Sequence, residues 1–331
     1  MVERFIRKTR TWSILAVILF FLILPRLGSQ YVSYLTLTFF GYGVTLLGLN
    51  LLFGYTGLLS FGHALFFALG AYTVAFFTSH FSILYMEVIL LVAVIVSSGL
   101  AGLIGLVCVR YIKIYFGLLT LAFGMVFYSF LLKFYNLTGG DEGIRVLRPF
   151  LLGFDLSAAP KMTFLMGSYY YYAFAILTLA TWAMWRLVSS PFGICLKAIR
   201  DNPEKATYLG ISVRRYRWWA FIVSGAYAAV GGALVAPVIG QVDPTLTYWT
   251  HSGTIVFMAL LGGFNTFLGP ILGALIYIFL QDTVMSLIPY WRLVFGAMLA
   301  FIVIVAPGGV AGVITTLMKR EKKKTGGEKG P

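Results

Sequence analysis

"SILAVILFFLIL", residues 13–24, decides the class of this chain: it carries no charge and is apolar on every side. A helix of such residues has no polar stripe to turn to water, so it belongs inside a protein or a bilayer. A membrane-spanning strand would instead alternate polar and apolar residues over about 10 positions. Working outward, similar runs recur along the whole chain. Of 331 residues, 60% are hydrophobic and only 11% charged, against roughly 25% charged in soluble domains. A spanning helix needs about 20 mainly apolar residues. The sequence therefore predicts an all-α polytopic membrane protein with about ten transmembrane segments. They are expected at 11–28, 31–53, 58–79, 83–109, 114–134, 168–188, 218–240, 252–264, 266–285 and 290–308. The third is interrupted by glycines, and the eighth is too short to cross about 30 Å as one regular helix. Some segments are thus expected to be broken or re-entrant.

The net charge of +14 would suggest nucleic acid in a soluble protein. Here it reads as the excess of Lys and Arg in cytoplasmic loops, with no nucleic-acid partner. With ten crossings and the N-terminus inside, nineteen of the 25 basic residues fall on the cytoplasmic side. Arg26, Lys133, Arg145, Arg148, Lys161 and Arg292 remain outside. Both termini are therefore expected inside, and the first helix is expected to be uncleaved. The transmembrane domain spans 1–317, with an external loop at 135–167 and a cytoplasmic loop at 189–217. The basic tail 318–331 is expected to be disordered beside anionic lipid headgroups. The four tyrosines 169–172 are expected to form an interfacial belt.

The cytoplasmic loop "SSPFGICLKAIRDNPEKATYLGISVRRYR" (189–217) contains a short helix with its own boundary signals. Asn202 suits the N-cap, since its side-chain oxygen can accept from free first-turn amides. Pro203 suits the first helical position, and Glu204 complements the positive end of the dipole. Gly210 can close the helix in a left-handed conformation. These residues predict a two-turn helix over 203–209. So short a helix is marginal alone and needs a surface, either its own spans or a soluble partner. Ala206, Leu209 and Gly210 would offer a small smooth patch, flanked by Arg200 and Lys205.

Two further stretches interrupt the apolar runs: "FGYTGLLSFGH" (53–63) and "LGGFNTFLGP" (261–270). Each leads into a helix rich in small residues, a candidate internal two-fold repeat. Paired glycine and proline breaks in a transporter point to its pathway, because irregular backbone at membrane depth must be covered by protein or line a cavity. Gly57, Ser60, Gly62, His63, Gly262, Gly263, Asn265 and Thr266 are the candidate pathway residues. Close helix packing through small faces is the competing reading, and a lone histidine such as His63 more often serves structure. Deep ionisable groups are nearly lacking, which argues against proton coupling. No Walker A pattern or catalytic constellation is present, so the chain should bind no ATP, no metal and no other cofactor itself. Cys108 and Cys195 read as small buried residues.

The span from Ser190 to Leu234 resembles the cytoplasmic coupling loop of ABC importer permeases, with Glu204-Lys205-Ala206 leading to Gly210. "NLLFGYTGLLSFGHALFFALGAYTVAF" (50–76), "IYFGLLTLAFG" (114–124), "LTGGDEGI" (137–144) and "MALLGGFNTFLGPILGAL" (258–275) resemble the branched-chain amino acid permease family, LivM type, in the same order. Thr207 stands where that family has a second alanine. The resemblance implies a multi-pass permease of the plasma (inner) membrane. Its partners would be a homologous second permease, two ATP-binding subunits holding ATP and Mg, and an extracytoplasmic solute-binding protein. Residues 202–207, Leu209 and Gly210 would dock the ATPase. Related importers of urea or short-chain amides share several of these motifs, and ribose-type sugar permeases are more distant. An ion-coupled secondary transporter or channel is the reading from another class.

Overall fold

Small residues and hydroxyls set where the helices meet. The computed structural model describes residues 18–26, 29–81, 84–154, 160–287, 289–306 and 308–313. The expected N-terminal segment up to residue 17 and the tail 318–331 lie outside the described residues. Residues 18–26 form α1. Ser29 caps α2 (Gln30–Thr56), its hydroxyl accepting from the Val32 amide at 3.3 Å. Gly57 ends α2 in the left-handed conformation (φ 74°). There follow α3 (His63–Ser79), α4 (Met86–Cys108), α5 (Ile114–Lys133), α6 (Tyr135–Thr138), α7 (Lys161–Phe164) and α8 (Tyr170–Val188). The chain continues as α9 (Pro191–Asp201), α10 (Pro203–Tyr208), α11 (Val213–Ile239), α12 (Trp249–Gly262), α13 (Gly269–Leu287) and α14 (Trp291–Val305). The fold is all-α and polytopic. Its one sheet among the described residues pairs β1 (Ile144–Arg145) with β2 (Gln241–Val242), antiparallel.

Among the described residues, six helical stretches are long and apolar enough to cross a membrane: α2, α4, α5, Lys161–Val188, α11 and α13. α3, α12 and α14 are shorter. α11 is the central column and packs along α2, α3 and α4. At these crossings the backbones nearly touch. A Cβ on Gly70 would overlap the Ala229 carbonyl, and one on Gly232 would overlap that of Phe67. Small-residue contacts of this kind let helices pack closely without a hydrophobic force between them.

The chain has two ends. One carries α9, α10, the 109–113 turn and the start of α11; Arg214 donates to the Leu106 carbonyl there at 3.4 Å. The other carries β1, β2 and the segment 134–154. At that end Glu87 accepts from the Leu152 amide at 2.9 Å, and Ser79 donates to the Arg145 carbonyl.

The tyrosine run corrects one expectation. Tyr169 and Tyr170 are fully buried rather than interfacial. Their rings fill the core, while their hydroxyls donate to the Leu234 carbonyl at 2.6 Å and the Phe21 carbonyl at 3.0 Å. A buried aromatic ring is favourable once its polar tip finds a partner. Cys108 is buried and Cys195 partly so, and both are free.

Candidate functional site

Asn202 does what its chemistry dictates. Its Oδ1 accepts from the Lys205 amide at 2.9 Å, Pro203 opens α10, and Glu204 lies in the first turn. At the other end Gly210 adopts φ 81°. The Ile211 amide then reaches back to the Ala206 carbonyl at 3.0 Å, and the Gly210 amide to that of Thr207 at 2.9 Å. This pair of bonds is the Schellman closure. The helix ends at Tyr208, one residue before the expected Leu209.

The expected patch on α10 differs in Ala206 and in its flank Arg200. Ala206 is buried against the chain, because it is the methyl-sized side chain on the inward face of α10. The outward face is Glu204, Lys205, Thr207, Tyr208 and Leu209. Tyr208 is 89% exposed and Leu209 79% exposed. Two large apolar side chains left this open on a two-turn helix form a ready contact surface.

α9 is a second helix in the loop, which sequence reasoning did not predict. Ser190 precedes Pro191 at its first turn, and Gly193, Leu196 and Ile199 face inward at helical spacing. Its last turn carries Arg200. Instead of flanking the patch, Arg200 turns to the protein. It donates to the Gly54 carbonyl and, at 2.9 Å, to Asn265 Oδ1. The reason is electrostatic: carbonyls in the last turn of α2 lack helical partners and carry the negative end of its dipole. Lys197 lies 5.3 Å over the Tyr55 ring beside it.

The candidate pathway residues separate into two levels. Gly57, Ser60, Gly62 and His63 lead inward from the end of α2. Ser60 is buried and its hydroxyl accepts from the Gly62 amide at 3.2 Å. A Cβ on Gly62 would sit 2.5 Å from the Thr120 carbonyl. His63 Nε2 meets Ser224 Oγ at 2.7 Å, and that hydroxyl donates to the Gly48 carbonyl at 2.6 Å. Gly48 lies eight residues from the end of α2, or about 12 Å at 1.5 Å per residue. α3 thus begins well inside the bundle. Gly262, Gly263, Asn265 and Thr266, by contrast, lie at the α10 end. Asn50 Nδ2 donates to the Thr266 carbonyl at 3.3 Å, and the Phe53 and Phe264 rings are 4.1 Å apart. The two sequence breaks touch only at their shared end.

A different segment reaches the level of His63, and sequence reasoning missed it. After α11 the chain runs through β2 and a 3-10 turn, Pro244–Thr247, into α12. His251 in the first turn of α12 contacts Tyr42 Oη at 2.8 Å and the Leu246 carbonyl at 2.7 Å. Tyr42 lies near the middle of α2. Ser252 Oγ accepts from the Ala64 amide at 3.2 Å. The N-terminal ends of α3 and α12 therefore meet at mid-depth, and the two helices run from there toward opposite ends. α2 with α3, and α11 with α12, are two helix-break-helix units of opposite direction. In direction the two units are arranged as an internal two-fold would require, with 240–248 opposite 57–62.

A sequence model for "Branched-chain amino acid transport system / permease component" matches residues 31–319. The chain belongs to this family. This permease is 27% identical over 318 residues to the high-affinity branched-chain amino acid transport system permease protein LivM of Salmonella typhimurium, covering 91% of this chain and 74% of that one. It is likewise 27% identical to LivM of Escherichia coli, over 86% of this chain and 70% of the relative. The galactose/methyl galactoside import permease protein MglC of Haemophilus influenzae is 26% identical over 62% of each chain. No solved structure matches. The protein is a multi-pass membrane permease component and not an enzyme. Within this permease, Arg200 and the 240–252 segment are the parts of the site that no single motif announced. Asp243-Pro244 was the available sign: Asp243 Oδ1 accepts from the Thr245 amide at 2.8 Å, an N-cap like that of Asn202.

Proposed function

We propose that this chain forms half of the translocation pore of an ATP-driven importer of branched-chain amino acids. The observation that carries the reading is α10: a helix capped at both ends by its own residues, with Tyr208 and Leu209 exposed. In this reading α10 docks an ATP-binding subunit on the cytoplasmic side, where both termini also lie. The distribution of Lys and Arg supports that orientation. A homologous second permease completes the pore, and a solute-binding protein delivers substrate to the β1–β2 end.

Movement of α10 would pass to α9 and through Arg200 to Gly54 and Asn265. These two residues sit at the ends of both sequence breaks. Gly57, Ser60, Gly62, His63, Gly262, Gly263, Asn265 and Thr266 would then shift with the pathway. Branched-chain amino acids are favoured as substrate because the LivM relatives are matched over more of the chain than the galactoside permeases.

Co-expression with ATP-binding subunits tests the docking. Leu209→Glu should abolish their co-elution and leave the permease monodisperse. Unchanged co-elution would defeat the docking role. Leucine uptake by the chain alone, without nucleotide, would defeat the ATP-driven reading. Competition of leucine uptake by valine, but not by galactose or a nucleoside, is the expected substrate result.

A further inference from the structure

The exposed side of the 241–257 segment differs in kind from the exposed side of α4. Gln241, Thr245, Trp249 and Thr250 are exposed, and Gly253 and Thr254 are half-buried. Phe257 continues this line one turn on and is exposed. On α12, Thr250, Gly253, Thr254 and Phe257 follow the spacing of one helix face. The line starts at β2, passes the middle of α5, where Thr247 backs on Gly124, and continues toward the α10 end. Its first part runs on backbone that is irregular from Asp243 to Tyr248, and its second part on α12.

α4 supplies the contrast at the same depth. Its outward residues are Leu91, Ile95, Leu103 and Leu106, all exposed and apolar. Their backbone is one unbroken helix. Such a face suits hydrocarbon. The 243–248 part of the other face does not, because non-helical backbone at membrane depth persists only against protein or along a water-filled cavity, and α12 continues that face with Thr250 and Thr254. Within the described chain, this side is uncovered.

We infer that the 241–257 face lines the translocation route, with Thr245, Trp249, Thr250 and Thr254 as its wall. This deepens, and rests on, the pore reading above. The wall determines the class of solute that passes. It has hydroxyls and aromatic surface. Asp243 and His251 are both engaged: the carboxylate by the Thr245 amide and hydroxyl, and the imidazole by Tyr42 Oη and the Leu246 carbonyl. Thr245, Trp249, Thr250 and Thr254 carry no charge, so a solute without net charge, carrying an apolar side chain, fits them.

Cysteine accessibility tests the inference on the full chain in native membranes. With Cys108 and Cys195 replaced, Thr245→Cys, Thr250→Cys, Ile95→Cys and Leu103→Cys are treated with a membrane-impermeant thiosulfonate, without nucleotide. Labelling at 245 and 250 should be at least tenfold faster than at 95 and 103. Equal rates at Thr250→Cys and Leu103→Cys would overturn the inference. Thr250→Trp, at unchanged yield, should lower leucine uptake by tenfold or more, with Leu103→Trp close to the parent. Full uptake by Thr250→Trp would also overturn it. The labelling needs no ATP, so positive labelling beside nucleotide-independent uptake would remove the ATP-driven reading and leave the route standing.

Discussion

α10 and α12 are both too short to stand alone, and they solve that problem in opposite ways. α10 is bounded by its own residues: Asn202 at one end, Gly210 at the other. Its outward side is left open. α12 begins at mid-depth, and its start is held, besides the adjoining Leu246 carbonyl, by residues distant in sequence: Tyr42 and the Ala64 amide. The first is a local structure that can be moved as a unit. The second is a tertiary structure that exists only when α2, α3 and α11 are in place. The roles proposed for them, a handle and a pathway wall, call for those two different kinds of stability.

The comparison can be broken first at the close crossings. Gly232→Leu drives a side chain into the Phe67 carbonyl of α3. Overpacking costs about 1–3 kcal/mol where neighbours can yield, and more where the obstacle is backbone. The expected outcome is loss of monodisperse protein on size exclusion, with α10 irrelevant to it. Ser224→Ala comes next. It strips His63 and the Gly48 carbonyl of their shared hydroxyl. Leaving buried polar groups unpaired should cost about 2 kcal/mol, measured as a lower thermal midpoint in detergent. A midpoint equal to the parent would show that His63 finds another partner and that the mid-depth meeting is looser than described.

Arg200→Met follows, at about 1.5 kcal/mol for a charge-assisted bond at a partly open site. Its sharper readout is coupling: ATPase activity of the assembled complex should persist while uptake falls. If uptake and ATPase fall together, Arg200 only holds the fold. Asn202→Ala should cost about 1 kcal/mol, the usual value for an N-cap. It should weaken ATPase co-elution without aggregation. Leu209→Ser should be smallest for stability, within about 0.5 kcal/mol, because an exposed side chain has little to lose. Its effect belongs entirely to docking.

Much of the first region was legible because its determinants are neighbours in sequence. Asn202-Pro203-Glu204 and Gly210 specify a start and a stop through bonds spanning three to five residues. Even there, the inward turn of Ala206 and Arg200 was not legible, since both depend on what lies beneath the loop. Arg200 in particular answers to the carbonyl of Gly54, 146 residues away. In the second region the sequence pointed to 261–270, and the segment that meets the start of α3 is 240–252. Glycine pairs at 262–263 drew attention, but they serve a close antiparallel contact between α12 and α13, where Gly262 meets Gly269 and Gly273. Depth in the bundle leaves no local mark. Residues 240–248 carry ordinary turn chemistry, and nothing in that chemistry says how far from either end the turn sits.

By itself, the sequence determined the membrane class, the approximate helices, the family and the two caps of α10. Each follows from composition or from interactions within one turn of chain. Only the tertiary structure decided that α3 and α12 start at mid-depth and run apart, that Arg200 points inward, and that Tyr169 and Tyr170 are core residues. Those outcomes depend on which helix surfaces approach within contact distance, a property of many distant residues acting together.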